Sequence, residues 1–215
     1  MSFGFDEAFE YIEALIKSSL SLDDSMTRLL GYCDVNLPNP VWAKLRDLDF
    51  EADILNLKSW LENILLIDPP AQAINAFWFG IHNPILNNSE TSCGLYLSGS
   101  AKYDPNAATL DWAVWDDQSY LPRDRYANSE DLSKIFWLVK ESGVADIGEY
   151  ISCLGYASLA VKTICSSIDS RLLFGERESR VSVVGFDSGD FIVLDPIVIK
   201  NREYVEERVY EISHT

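Results

Sequence analysis

Apolar residues recur at helical spacing through the first third of the chain. Phe5, Phe9, Ile12 and Ile16 form one stripe with Ala8 and Leu15 beside it, which predicts an amphipathic helix over residues 6–20. Asp6 and Glu7 suit its N-terminus, where unpaired N–H groups and the helix dipole favour negative charge. A short second helix is predicted from Asp23 to Leu30, with Gly31 as its stop signal. The stretch Leu37-Pro-Asn-Pro-Val41 predicts a rigid loop, because two prolines cannot continue a helix. Ile54, Leu57, Leu61, Ile64 and Leu65 mark a helix over residues 51–66, ended by Asp68-Pro-Pro70. Residues 1–72 therefore read as a helical N-terminal part.

The pattern then changes. Ala73 to Ile81 holds the compact run Phe77-Trp78-Phe79 and predicts a buried strand. Gly94 to Gly99 and Leu110 to Trp115 predict two more, with turn residues at Tyr103-Asp-Pro-Asn106 between them, so residues 94–116 read as an antiparallel hairpin. Helical spacing returns at Leu132, Ile135, Phe136 and Val139, with Asn128 or Ser129 as cap and Gly143 as stop. A helix from about Ile147 to Ile168 is apolar over much of its circumference, which predicts a central position. Arg180–Phe186 and Phe191–Leu194 flank Asp187-Ser-Gly-Asp190, a hairpin signature, and a last strand is predicted in Val205–Ile212. The expected fold is a single α+β domain over residues 1–215. It has N-terminal helices, a largely antiparallel sheet, two further helices and a C-terminal β-hairpin.

Charge adds a property that the pattern does not carry. The chain has 34 acidic and 17 basic side chains, a net charge of −17, and each third of it is net negative. Such a field repels nucleic acid and anionic membranes, and it attracts basic partners. The same acidity also serves plain solubility. No stretch approaches the roughly 20 apolar residues of a membrane span, and the first residues lack the basic and apolar regions of a signal peptide. A soluble, cytoplasmic protein is expected.

Candidate chemistry is sparse. Cys33, Cys93, Cys153 and Cys165 show no Cys-x-x-Cys spacing. Cys153 and Cys165, twelve residues apart on one helix, would stand roughly 18 Å from each other, so reduced buried thiols are expected. Only His82 and His214 are present, too few for a histidine metal site, and no partner near His82 in sequence marks it as a general base. No G-x-S-x-G elbow or G-x-G-x-x-G loop occurs, and Gly155 to Thr163 lacks the second glycine of a phosphate loop. Asp187, Asp190 and Asp195 lack EF-hand spacing and read as a solvated turn. No cofactor is implied.

The most distinctive stretch runs from Gly94 to Tyr126. Trp112 and Trp115 have opposite strand parity, so one is expected inward and the other outward. Trp115, Asp116, Asp117, Tyr120 and Tyr126, with Arg123 and Arg125 among them, have the composition of a partner-binding surface. The other reading is a structural loop whose aromatics cover the core edge. Around this stretch the chain resembles the immunity proteins of bacterial polymorphic toxin systems. The likeness is carried by Phe77-Trp-Phe-Gly-Ile81, Leu95-Tyr-Leu-Ser-Gly99 and Asp111-Trp-Ala-Val-Trp115, roughly a third of the chain. It implies cytosolic residence and binding to a cognate toxin, and it assigns no individual residue. The expected partner is therefore a basic protein domain, with no nucleic acid and no membrane. Two other classes remain open: an enzyme using carboxylates assembled from distant positions, and an adaptor subunit of a larger complex.

Overall fold

A computed structural model describes residues 3–84, 92–104, 106, 112–113, 119–144, 146–187 and 189–194. Within them lie seven helices and one five-stranded sheet, an α+β arrangement.

Helix α1 (Phe5–Lys17) starts where the Gly4 amide donates to the Glu7 carboxylate at 3.0 Å. Helix α2 (Leu22–Asn36) is capped by Ser21, whose hydroxyl accepts from the Asp24 amide at 3.1 Å. This helix does not stop at Gly31 as predicted. A glycine inside a helix weakens it without breaking it, and here the helix continues to the residues just before Pro38. The buried Trp42 indole then donates to the Leu37 carbonyl at 2.6 Å, on the short helix α3 (Val41–Leu45). Helix α4 (Phe50–Ile67) is capped by Asp49.

Helix α5 (Glu130–Ser142) begins at the Ser129 cap and ends at Gly143, whose φ of 69° is the left-handed geometry that glycine accepts without cost. Helix α6 (Asp146–Ser167) is buried on nearly all sides, as its all-round apolar character predicts. It packs on α1, α2, α4 and α5, and on the sheet. Leu29 of α2 lies so close to Gly155 that a Cβ there would fall 2.6 Å from its Cδ2. A short helix, α7 (Ser170–Phe174), follows, with Asp169 as its cap. None of the described helices is long and apolar enough to cross a membrane.

The strands are β1 (Ala76–His82), β2 (Gly94–Ser100), β3 (Tyr126–Ala127), β4 (Val181–Phe186) and β5 (Phe191–Leu194), ordered β3-β2-β1-β4-β5. Three pairs are antiparallel, including the predicted β4–β5 hairpin, and β1 runs parallel to β4. The predicted 94–116 hairpin is corrected. β2 is buried along its whole length and takes β1 and β3 as its two neighbours. Trp112 and Ala113 form a buried turn, and the rest of the predicted Leu110–Trp115 strand lies outside the described residues. Val205–Ile212 lies outside them too.

Strand alternation sends Phe77, Phe79, Ile81, Leu95, Leu97 and Val184 toward the helices, where they join one large core. The opposite face carries a second, smaller cluster that includes no helical residue. The helices thus cover one face of the sheet and leave the other to strand and loop residues. A Leu, Ile or Phe fully buried in the main core contributes roughly 1.5–3 kcal/mol.

Candidate functional site

The outer face is defined by register. One row across the sheet reads Tyr126, Tyr96, Gly80, Gly185, Phe191, from β3 to β5. The row beside it holds Ser98, Trp78, Val183 and Val193. Two adjacent glycines in the first row leave a trough between the large side chains. Tyr96 folds into it: a Cβ on Gly80 would lie 2.2 Å from the Tyr96 ring and 2.6 Å from the Trp78 indole nitrogen. On the other side, a Cβ on Gly185 would meet Phe191 at 2.6 Å. Both glycines are therefore required by close approach and not by backbone dihedral.

The Tyr96 hydroxyl is held from two sides. It accepts from Trp78 Nε1 at 3.1 Å and donates to Asp187 Oδ1 at 2.6 Å. The second bond is short because its acceptor is a carboxylate. It carries the buried outer cluster out to an exposed acidic group beyond β4. Asp190, on the same turn, accepts from the Tyr150 hydroxyl at 2.7 Å, and burial together with that carboxylate pushes the phenol pKa well up. Asp187 and Asp190 of the predicted turn therefore serve as acceptors for tyrosines from other elements. Among the described residues no group of His, Cys, Asp and Glu side chains is placed to hold a metal ion.

His82 stands at the end of β1 against this cluster. Its ring lies 5.7 Å from Tyr96 and 5.2 Å from Tyr126, and Arg125 stacks over Tyr126 at 4.8 Å. Burial pushes the imidazole pKa below the ordinary histidine value, with Asp187 pulling the other way, so the ring is neutral at neutral pH. No hydrogen bond joins it to a described hydroxyl, thiol or carboxylate. An open pocket of about 580 Å³ adjoins it, lined among others by Cys93, Tyr126, Ser129 and Ser133. Ser92 and Ser133 share a hydrogen bond of 2.6 Å there. A hydrogen bond with Cys93, followed by burial, raises the Cys153 thiol well above its ordinary value, so it is not an activated nucleophile. All four cysteines are buried free thiols. The arrangement offers aromatic surface, a stacked guanidinium and exposed carboxylates, which suits contact with another molecule better than proton transfer.

The structure separates the residues that the sequence grouped. Tyr126 is 56% exposed and belongs to the outer face. Tyr120 is corrected: it is 6% exposed, packs against Phe77 and donates its hydroxyl to the Asp68 carbonyl at 2.6 Å. It fixes the loop to the end of α4 and offers no surface to a partner. Trp115, Asp116 and Asp117 lie outside the described residues. Trp112 is buried edge-to-face on Trp78 at 6.1 Å, on the outer face of the sheet, and Trp115, the other member of the predicted pair, lies outside the described residues.

Sequence reasoning passed over Tyr96, His82 and Asp187 as a group. Gly80 inside an apolar run was the available signal, since an interior strand glycine marks close approach. Neither family models, curated proteins nor solved structures provide a match to this chain.

Proposed function

We propose that the chain is an acidic binding protein whose outer sheet face docks a basic protein domain, as an immunity protein does when it occludes a toxin. The observation that carries this reading is the face itself. It holds an exposed Tyr126 beside His82 and Tyr96, an exposed Val193 at the other edge, and no helix over it among the described residues. Aromatic anchors with a polar rim are the composition that dominates binding energy at protein interfaces. The −17 charge would steer a basic partner toward the molecule and speed its encounter. Cytoplasmic residence belongs to the same reading.

The test compares the native chain with Tyr126→Ala and Val193→Glu as bait in lysate of the source organism, at low and high salt. The expected result is one basic protein held in equal amount by the native chain, released by salt and lost from both variants, whose own activity the native chain inhibits. A partner retained equally by both variants would show that the outer face is not the docking surface.

A further inference from the structure

At the end of the sheet away from His82, a cavity of about 200 Å³ lies between the start of the parallel β1–β4 pair, the last turns of α6, and α7. Arg180, just before β4, forms part of its wall and is 3% exposed. Its Nε donates to the Ile74 carbonyl at 2.8 Å, Nη1 donates to the Leu173 carbonyl, and the guanidinium carbon lies 4.8 Å from the centre of the Phe77 ring. A guanidinium carries five N–H groups. No carboxylate among the described residues meets the others, and none lines the cavity.

That omission stands out in a chain with twice as many acidic as basic side chains. A buried cation is costly unless it is paired. The nearby charges make matters worse. Arg177 acts on Arg180 as a like charge, and burial and that repulsion together bring its pKa down to about 10, still fully protonated at neutral pH. Lys162 lines the same cavity, its Nζ donating to the carbonyls of Ile16 and Ser18 at 2.7 Å each. These two bonds tie α6 to the end of α1 beside the cavity. Ser182 and Ser166 add hydroxyls.

We propose that this cavity is a binding site for a small monocarboxylate with an apolar body, its carboxylate seated on Arg180. The walls decide the class. Leu173, Phe174 and Leu194 supply apolar surface, and the Phe77 ring backs the guanidinium. An apolar cavity of about 150 Å³ accommodates benzene, so the volume here takes one ring or a short chain with its carboxyl group. Inorganic phosphate, smaller and more strongly hydrated, would give up water against the apolar half of the lining, which returns no hydrogen bonds. Entry is at Ser166, the exposed residue of the lining. A carboxylate supplies the counter-charge that the described residues withhold, in the bidentate geometry a guanidinium recognises.

The competing explanation is that Arg180 serves only as a clamp on two backbone carbonyls. Titration of the full chain with sodium benzoate, read by calorimetry and amide NMR shifts, separates the two. Benzoate is expected to saturate one site and to move the amides of Cys165, Leu173 and Ser182. Benzamide, its neutral counterpart, is expected to bind at least tenfold more weakly. Arg180→Lys should weaken benzoate at least tenfold, because ammonium lacks the planar fork. Ser166→Trp, which plugs the mouth from an exposed position, should abolish binding with an unchanged circular dichroism spectrum. This second variant keeps the test intact if Arg180→Lys does not fold. Absence of saturable benzoate binding at millimolar concentration, equal binding of benzamide, unchanged binding in Ser166→Trp, or tighter binding of phosphate would each overturn the proposal.

Discussion

One buried carboxylate, that of Asp53, joins three helices. It sits on α4, is buried, and accepts three hydrogen bonds from two other helical segments. Oδ1 receives the Glu130 amide at 2.9 Å, and Oδ2 receives the Ser129 hydroxyl at 2.6 Å and the Tyr156 hydroxyl at 2.5 Å. The carboxylate thus ties α4 to the cap of α5 and to the middle of α6. Asp53→Ala would strand all three donors. Hydrogen bonds to a charged group are worth ~1.5–3 kcal/mol each, but the variant also escapes the cost of desolvating a carboxylate, which is several kcal/mol. A net loss of about 3 kcal/mol is expected, comparable with removing one partner of a buried charged pair. With a urea m-value of about 2 kcal/mol/M, the unfolding midpoint should fall by about 1.5 M, followed by tryptophan fluorescence and far-UV circular dichroism. Tyr156→Phe alone should cost ~1.5–3 kcal/mol, the worth of one hydrogen bond to a charged group. The double variant should be milder than the sum of the two by at least ~0.5 kcal/mol, since the phenol has nothing left to lose once the carboxylate is gone. A midpoint for Asp53→Ala within ~0.3 M of native, or strict additivity of the pair, would refute this account of how the three helices are joined.

Asp131, in the first turn of α5, is buried with Oδ2 unpaired, and burial followed by the nearby Asp53 charge raises its pKa. Its ionised form therefore costs folding stability above the raised value, and that cost is relieved as pH falls through it. Asp131→Asn should raise the urea midpoint at pH 7, with a margin that narrows as the pH falls toward the ordinary carboxylate range. A margin that widens on acidification would contradict the sign. Gly80→Ala would drive a methyl group into the Tyr96 ring. It should cost ~1–3 kcal/mol by overpacking and release Tyr96 from Asp187. An unchanged thermal midpoint would mean that the ring has room to move. Reversing both charges, Asp116→Lys with Asp117→Lys, should slow association with a basic partner and flatten its salt dependence if these residues border the docking face. Association rates by stopped flow would exclude them if neither quantity moves.

How much of this was legible beforehand depends on how far apart the interacting residues lie in the chain. The long helices could be read from apolar spacing and caps, and the β4–β5 hairpin from its turn residues, because those signals are contained within a few consecutive residues. Ser129 and Gly143 bound α5 as their chemistry predicts. The run-on of α2 past Gly31 already shows a limit, since a local stop signal of about 1 kcal/mol is outweighed by burial of Cys33 and the stacking of Tyr32 on Tyr11 just beyond it. The site residues exceed that limit altogether. Tyr126 could be nominated from composition, but Tyr120 has the same composition and is buried, because only the pairing of Gly99 with Tyr120 sets which way that loop turns.

What the sequence alone determined is the long helices, the β1 and β2 segments, the β4–β5 hairpin and the acidity of the whole. What tertiary structure decided is which distant residues share a face. Tyr96 and Asp187 meet across 91 positions, and Asp53 and Tyr156 across 103. β1 pairs with β4 although two strands and three helices separate them in the chain. Such contacts leave no periodic trace, because each rests on a single register chosen by the packing of everything else. The same reason hides the counter-charge missing beside Arg180: the sequence counts 34 carboxylates, and only the fold shows that none of the described ones comes near it.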